Sequence, residues 1–274
     1  MNKHLSNFLL ILIIVAGLSL LLYPSFSDYW NSQHQSRAIA TYSDSVSQLD
    51  TGIYRQMLAE ATGYNRRLTY KPNRYMMTDE EKLEYNSLLD VTGTGIMGYI
   101  EIPNLDCMLP IYHGTDEAVL QIAIGHIEGT SLPVGGVGTH SVLSGHRGLP
   151  SAKLFTNLDK MVEGDVFLLH ILDDVLTYQV DQILVVEPHI VEPLDIDPTR
   201  DLCTLVTCTP YGINSHRLLV RGTRIETVEE EAPVYVHSEA MRIDWKIVAA
   251  CIGIPIAVVY MFGSLIFGGG KKKK

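Results

Sequence analysis

The chain has 274 residues, 46% of them hydrophobic, and a formal charge of −10 at pH 7. Setting aside Lys3 and the four terminal lysines leaves about −15 on the remainder, which argues against a nucleic-acid surface, since phosphates call for clustered Lys and Arg. Four cysteines make no disulfide framework: Cys251 lies in an apolar run, and Cys203 and Cys208, five apart on one expected strand, point to opposite faces.

Residues 1–27 read as an N-terminal membrane anchor or signal. Phe8 to Tyr23 is uncharged and, with Leu5, approaches the roughly 20 residues needed to cross a bilayer core. A cleavable signal peptide is the competing reading; the run is long for one, and PSFSDYW offers no small-x-small cleavage site, which favours an uncleaved anchor. Residues 28–92 form a helical appendage and lid region. Its helical patterns are VSQLDTGIYRQMLAEATGYNRRL and TDEEKLEYNSLLD, the second with Thr78 as cap and Glu81 three residues on, and Pro72 breaks the chain between them.

Residues 93–230 change texture to short β-rich runs: GIMGYIEIP, MLPIYHG, VLSGH, DVFLLHI, LTYQVDQILVVEP, LCTLVTC and HRLLVRGTRIE. These predict a barrel or sandwich, with alternation clearest where Leu176, Tyr178 and Val180 oppose Thr177, Gln179 and Asp181. Short helices are expected at AVLQIAI and KLFTNLDKM. Residues 231–274 supply a linker, a second apolar span at Ile247–Phe267 and a basic tail, Lys271–Lys274. Lysines outside both spans predict two membrane anchors, cytoplasmic termini and residues 28–245 on the extracellular face of the cell membrane.

The segment from Thr204 to Gly222 reads as a strand, an eight-residue polar loop and a second strand. Paired as a hairpin, it sets Cys208 opposite Arg217 at the loop mouth, with Arg217, Leu219 and Arg221 on one face and Leu218 and Val220 toward the core. An arginine beside a thiol favours the attacking thiolate. His146, between glycines at the end of another β run, suits proton exchange if the fold brings it near Cys208, which spacing leaves open. Each residue also has a plainer reading: a strand cysteine is often a small core hydrophobe, a strand arginine a solvated charge, a histidine among glycines a turn residue. A Cys/His metal site is disfavoured, because neither CxxC nor HxxxH spacing occurs.

At these residues the sequence resembles the sortases, whose TLxTC signature is matched by Thr204, Leu205, Val206, Thr207 and Cys208, with Arg217 on the next strand. It resembles most the class C, pilin-polymerising branch, in TLVTCTPYG, HRLLVRG and SGHRGLP and in its C-terminal apolar segment. The close resemblance covers about residues 95–224. It implies a mainly β fold, an eight-stranded barrel with short helices, the helical appendage and a transmembrane helix at each end. It also implies a cysteine transpeptidase with catalytic His146, Cys208 and Arg217 and no cofactor. Its partners would be proteins with LPxTG-like sorting signals, pilin subunits among them, cleaved between Thr and Gly through a thioacyl-enzyme and transferred to a pilin lysine in pilus assembly. The alternatives are a hydrolytic cysteine peptidase, a cell-wall-anchoring sortase and a non-catalytic surface β-domain. His140, His216, Cys107 and Cys203 receive no chemistry. Class C sortases carry an Asp-Pro-aromatic lid; Lys71-Pro72-Asn73 matches neither anchor, so an open or mobile site is expected, with Tyr70 or Tyr75 as the alternative covering residue.

Overall fold

The computed structural model describes residues 3–227 and Gly253. The expected second span, linker and basic tail lie outside the described residues apart from that glycine. Residues Ser27–Val228 form one compact unit.

Eight strands close into a barrel: β1 (Ile96–Ile102), β2 (Cys107–His113), β3 (Ile124–His126), β4 (Thr139–Ser144), β5 (Val166–Ile171), β6 (Asp174–Val186), β7 (Asp201–Thr209) and β8 (His216–Arg224). Around the barrel the order is β1-β2-β3-β4-β7-β8-β6-β5. Two neighbouring pairs, β2–β3 and β4–β7, are parallel, and the others are antiparallel. The interior is filled by Ile100, Ile111, Ile124, Leu143, Phe167, Leu169, Tyr178, Leu205 and Val220, all fully buried. At roughly 1.5–3 kcal/mol for each large side chain removed from water, this layer drives closure. Leu218 and Val220 face that core while Leu219 lies in a second, outer cluster, as alternation along the strand requires.

Four helices precede or interrupt the barrel: α1 (Lys3–Ser47), α2 (Thr51–Thr69), α3 (Asp79–Ser87) and α4 (Glu117–Leu120). The apolar part of α1, with a mean hydropathy of 1.8, is long and apolar enough to cross a membrane. The helix carries Pro24 without ending there. Its continuation is held by the barrel: Ile39 and Tyr42 are buried, and the Tyr42 hydroxyl donates to the Met97 carbonyl and accepts from the Leu172 amide. The helical pattern beginning near residue 45 therefore splits, with α2 starting afresh where Asp50 caps it by accepting from the Gly52 amide at 2.7 Å. On α2, Ala61, Tyr64 and Leu68 share a buried face. Between them Asn65 exchanges two hydrogen bonds with the Leu132 backbone, at 3.0 and 2.7 Å. Helix α3 begins with the expected capping box of Thr78 and Glu81.

Three local expectations change. The AVLQIAI helix shrinks to the single turn of α4, because Ile124 pairs with Ile111 in β3. The KLFTNLDKM helix is only a 3-10 turn at Leu158–Lys160; upstream, the Lys153 amide is taken by Asp28 and the Phe155 amide by the His146 carbonyl. The loop between β7 and β8 is six residues long, 210–215, since Thr209 and His216 are themselves paired.

Candidate active site

Strands β7 and β8 run antiparallel, and in their register Cys208 stands directly across from Arg217. Residues so paired project to the same face with Cβ atoms about 5 Å apart. Arg217 Nη1 donates to the carbonyls of Asn214 and His216, at 3.2 and 3.1 Å, which keeps the guanidinium at the loop mouth. Cys208 is half-buried. The other two thiols among the described residues differ: Cys203 is fully buried in the core, where burial raises its pKa well above the ordinary value, and burial pushes Cys107 up to about 12. Both stay protonated at neutral pH, and a protonated thiol is a poor nucleophile.

The parallel pair runs the loop that carries His146 alongside the Cys208 end of β7. In β4 and β7, Ser144 is level with Val206. Beyond that point the two chains stay tied: the Gly145 amide donates to the Val206 carbonyl at 3.0 Å, and Thr207 Oγ1 donates to the Gly145 carbonyl at 2.7 Å. Two residues further, Arg147 Nη1 donates to Thr209 Oγ1 at 3.2 Å. The neighbours of His146 are thus bonded to the neighbours of Cys208. A glycine is needed at 145 for packing against the core, for a Cβ there would lie 2.7 Å from the Phe155 ring and 2.8 Å from Ile124. His146 Nε2 lies 4.0 Å from the Glu117 carboxylate of α4, whose other oxygen accepts from Gln121.

Arg147 was not singled out in the sequence beyond its place in SGHRGLP. Its side chain is only 9% exposed, pairs with Asp159, and lies over the Tyr211 ring with Cζ 5.9 Å from the centroid. It joins the histidine loop to both strand and loop on the cysteine side. No local pattern announces this, because Asp159 and the Thr209–Tyr211 stretch lie 12 and about 62 residues away along the chain.

Val206 and Cys208 alternate onto one face of β7, as Arg217 and Leu219 do on β8. Beside the thiol, Val142, Val206 and Leu219 therefore form an apolar floor, with Leu194 from the β6–β7 connection packed on it. Farther along that face, both nitrogens of the buried His140 are engaged, with the Asp195 carbonyl at 2.9 Å and Thr204 Oγ1 at 2.7 Å. Burial lowers its pKa to about 4, so the ring is neutral at pH 7; one nitrogen donates to the carbonyl and the other accepts from the hydroxyl.

The segment 70–76 is fastened rather than free. Arg74 Nη2 donates to the Leu194 carbonyl at 3.0 Å and to Asp195 at 3.1 Å, Lys71 pairs with Glu81, and the Arg74 backbone rests against Gly129. Among the described residues, no hydrogen bond or ion pair joins 70–76 to Cys208, His146 or Arg217. His216, the pairing partner of Thr209, accepts from or donates to Ser215 and carries no assigned chemistry. No three His, Cys, Asp or Glu side chains gather as a metal site among the described residues.

A closed barrel that presents a half-buried thiol opposite a guanidinium, with a histidine loop laced alongside, has the build of a cysteine acyl-transfer enzyme. The sortase-domain family model matches residues 100–246, and the chain belongs to the sortase family, whose members are cysteine transpeptidases. Its structure is similar to that of sortase C1 from Streptococcus agalactiae, with 51% identity, a TM-score of 0.68, and 70% of this chain and 99% of that one covered. Similar too is sortase C of Streptococcus pneumoniae, in a structure reported for its insight into catalysis and pilin substrate specificity: 48% identity, TM-score 0.64, coverage 70% and 97%. A more distant relative, sortase D of Bacillus subtilis, is 27% identical over 131 residues, which span 47% of this chain and 63% of that protein.

Proposed function

We propose that the chain is a class C sortase acting on LPxTG-like sorting signals, with His146, Cys208 and Arg217 as its catalytic residues. The observation that carries this is the cross-strand pairing of Cys208 with Arg217 next to a loop whose residues on either side of His146 bond to β7. In the cycle, Cys208 Sγ attacks the Thr carbonyl carbon of the signal, and Arg217 donates hydrogen bonds to the developing oxyanion. The Thr–Gly bond breaks as His146 gives its proton to the leaving Gly amine, which leaves a thioester on Cys208. An incoming amine then attacks that thioester, His146 takes up its proton, and the thiolate is restored. The apolar floor of Val142, Val206 and Leu219 suits an apolar residue on the acyl side of the signal.

The acceptor is a pilin lysine amine, a reading supported by the likeness to class C sortases, one of them reported for pilin substrate specificity. Water would resolve the same thioester, so product analysis tests the assignment. Incubation of the chain with a sorting-signal peptide and a lysine-bearing pilin domain yields an isopeptide adduct on this reading, whereas free acid alone would make the protein a hydrolase. Residues 1–27 and the second apolar run anchor it with both termini inside, residues 28–92 support the barrel of 93–230, and 231–274 tether it. Protease applied to protoplasts should spare a tag placed after Lys274; digestion of that tag would refute the second span or its direction.

A further inference from the structure

Asp28, Asn31 and Gln35 of α1 fall at i, i+3 and i+7, a spacing that puts three side chains on one helix face. All three bond to backbone in the two segments around His146. Asp28 Oδ1 accepts from the Lys153 amide at 2.9 Å while its Oδ2 lies 3.1 Å from Lys153 Nζ. Asn31 Nδ2 donates to the Ser151 carbonyl at 2.8 Å. Gln35 Nε2 donates to the Ile122 carbonyl at 2.6 Å.

Ser151 and Lys153 belong to the excursion that leaves His146 and returns at Phe155, whose amide donates to the His146 carbonyl at 3.2 Å. Ile122 follows α4, the turn that sets the Glu117 carboxylate 4.0 Å from His146 Nε2. The helix thus grips the loop that carries the imidazole and the wall that faces it. Farther along, α1 is held by buried Ile39 and Tyr42, but beside β2 a cleft of about 170 Å³ lined by Trp30, Asn31, His34, Gln35, Tyr112 and Ile122 interrupts the packing. At this level the three polar contacts are what tie the helix to the two segments around His146. Cys208 and Arg217, by contrast, are held by the β7–β8 ladder.

We infer that the Asp28–Asn31–Gln35 face is a positioning brace for His146, through which the first helix sets the imidazole relative to Cys208. The inference rests on His146 being the proton carrier. Displacing a catalytic group by a fraction of an ångström slows the chemical step without weakening substrate binding, so the brace should act on kcat and not on KM.

The test uses the full chain in detergent with a sorting-signal peptide, comparing wild type with the double variant Asn31→Asp, Gln35→Glu, which keeps side-chain size but removes both N–H donors. The expected result is kcat lower by about tenfold, with KM, the melting temperature and the rate of Cys208 alkylation by a small thiol reagent nearly unchanged. Lys153→Met provides a milder second variant, since it removes the ion pair to Asp28 but keeps the backbone amide; a small, KM-neutral fall in kcat is expected. His146→Ala is the reference. If it turns over normally, the proton-carrier reading fails and the brace with it. If it is impaired while the double variant keeps kcat within about twofold, the brace is refuted and that reading stands. A double variant whose kcat, alkylation rate and melting temperature all change together also refutes it, because the helix would then support the whole domain rather than the histidine.

Discussion

The parallel pair of β4 and β7 carries a histidine and a cysteine at each end, and the two ends differ in everything but residue type. At the first, His140 spends both nitrogens on protein partners, and the Cys203 thiol is sealed in the core, one residue from Thr204, the partner of His140. At the second, Cys208 is half-buried across from a guanidinium, and His146 keeps 29% of its side chain exposed. Burial and spent hydrogen-bonding capacity make the first end structural. Partial exposure and an adjacent fixed charge at the second are what the proposed acyl transfer requires.

If that contrast governs activity, Cys208→Ala should abolish cleavage of a sorting-signal peptide while Cys203→Ala and Cys107→Ala retain most of it, as read by release of the Gly-containing fragment. Similar losses in all three would erase the distinction between the ends. Next in size is Arg217→Lys, expected to lower kcat by about 100-fold or more, because a compact ammonium does not reproduce the planar donor fork aimed at an oxyanion. Turnover near wild type would show that charge alone suffices. Arg147→Ala should cost less, about tenfold in kcat, by loosening the tie between the histidine loop and Thr209. The rate of Cys208 alkylation should hold, and a matching fall in alkylation would mean that the cysteine strand itself had moved.

The smallest effect on activity belongs to the structural end. His140→Gln should leave turnover at pH 7 within about twofold of wild type but change the response to acid. Burial holds His140 and His126 near pKa values of about 4, below the ordinary 6.5. The unfolded chain therefore binds these protons first, so the stabilisation is full above about pH 6.5 and lost as pH falls from there toward 4. Between pH 7 and 5 each histidine should contribute a loss of roughly 2 kcal/mol. Urea titrations at the two values should show that loss reduced in His140→Gln, with His126 and His170, also held low by burial, supplying the remainder; an unchanged pH dependence would mean that His140 is not held neutral.

Much of the barrel was legible because seven strands alternate or carry β-rich runs bounded by Gly, Pro or Asp. The eighth, Ile124–His126, was not: all three residues are buried, so it shows no alternation, and it continues a run that reads as helical. The continuation of α1 from the apolar run to Ser47 was not legible either, because it depends on contacts from residues 28–42 to distant segments. Cys208 and Arg217 could be paired from sequence because a hairpin is local. The approach of His146 depends on a parallel register between strands 62 residues apart, recorded in no local pattern. The same holds for Arg147 and for the face of α1 that meets the histidine loop.

The most direct test of the account is intact-mass analysis of the full chain quenched in acid during turnover of a sorting-signal peptide without an acceptor. The expected result is an added mass equal to the peptide through its Thr, located at Cys208 by proteolytic mapping and released by hydroxylamine as a thioester is. An adduct on Cys107, on Cys203 or on any hydroxyl, or turnover with no adduct under conditions that trap a thioester, would contradict it.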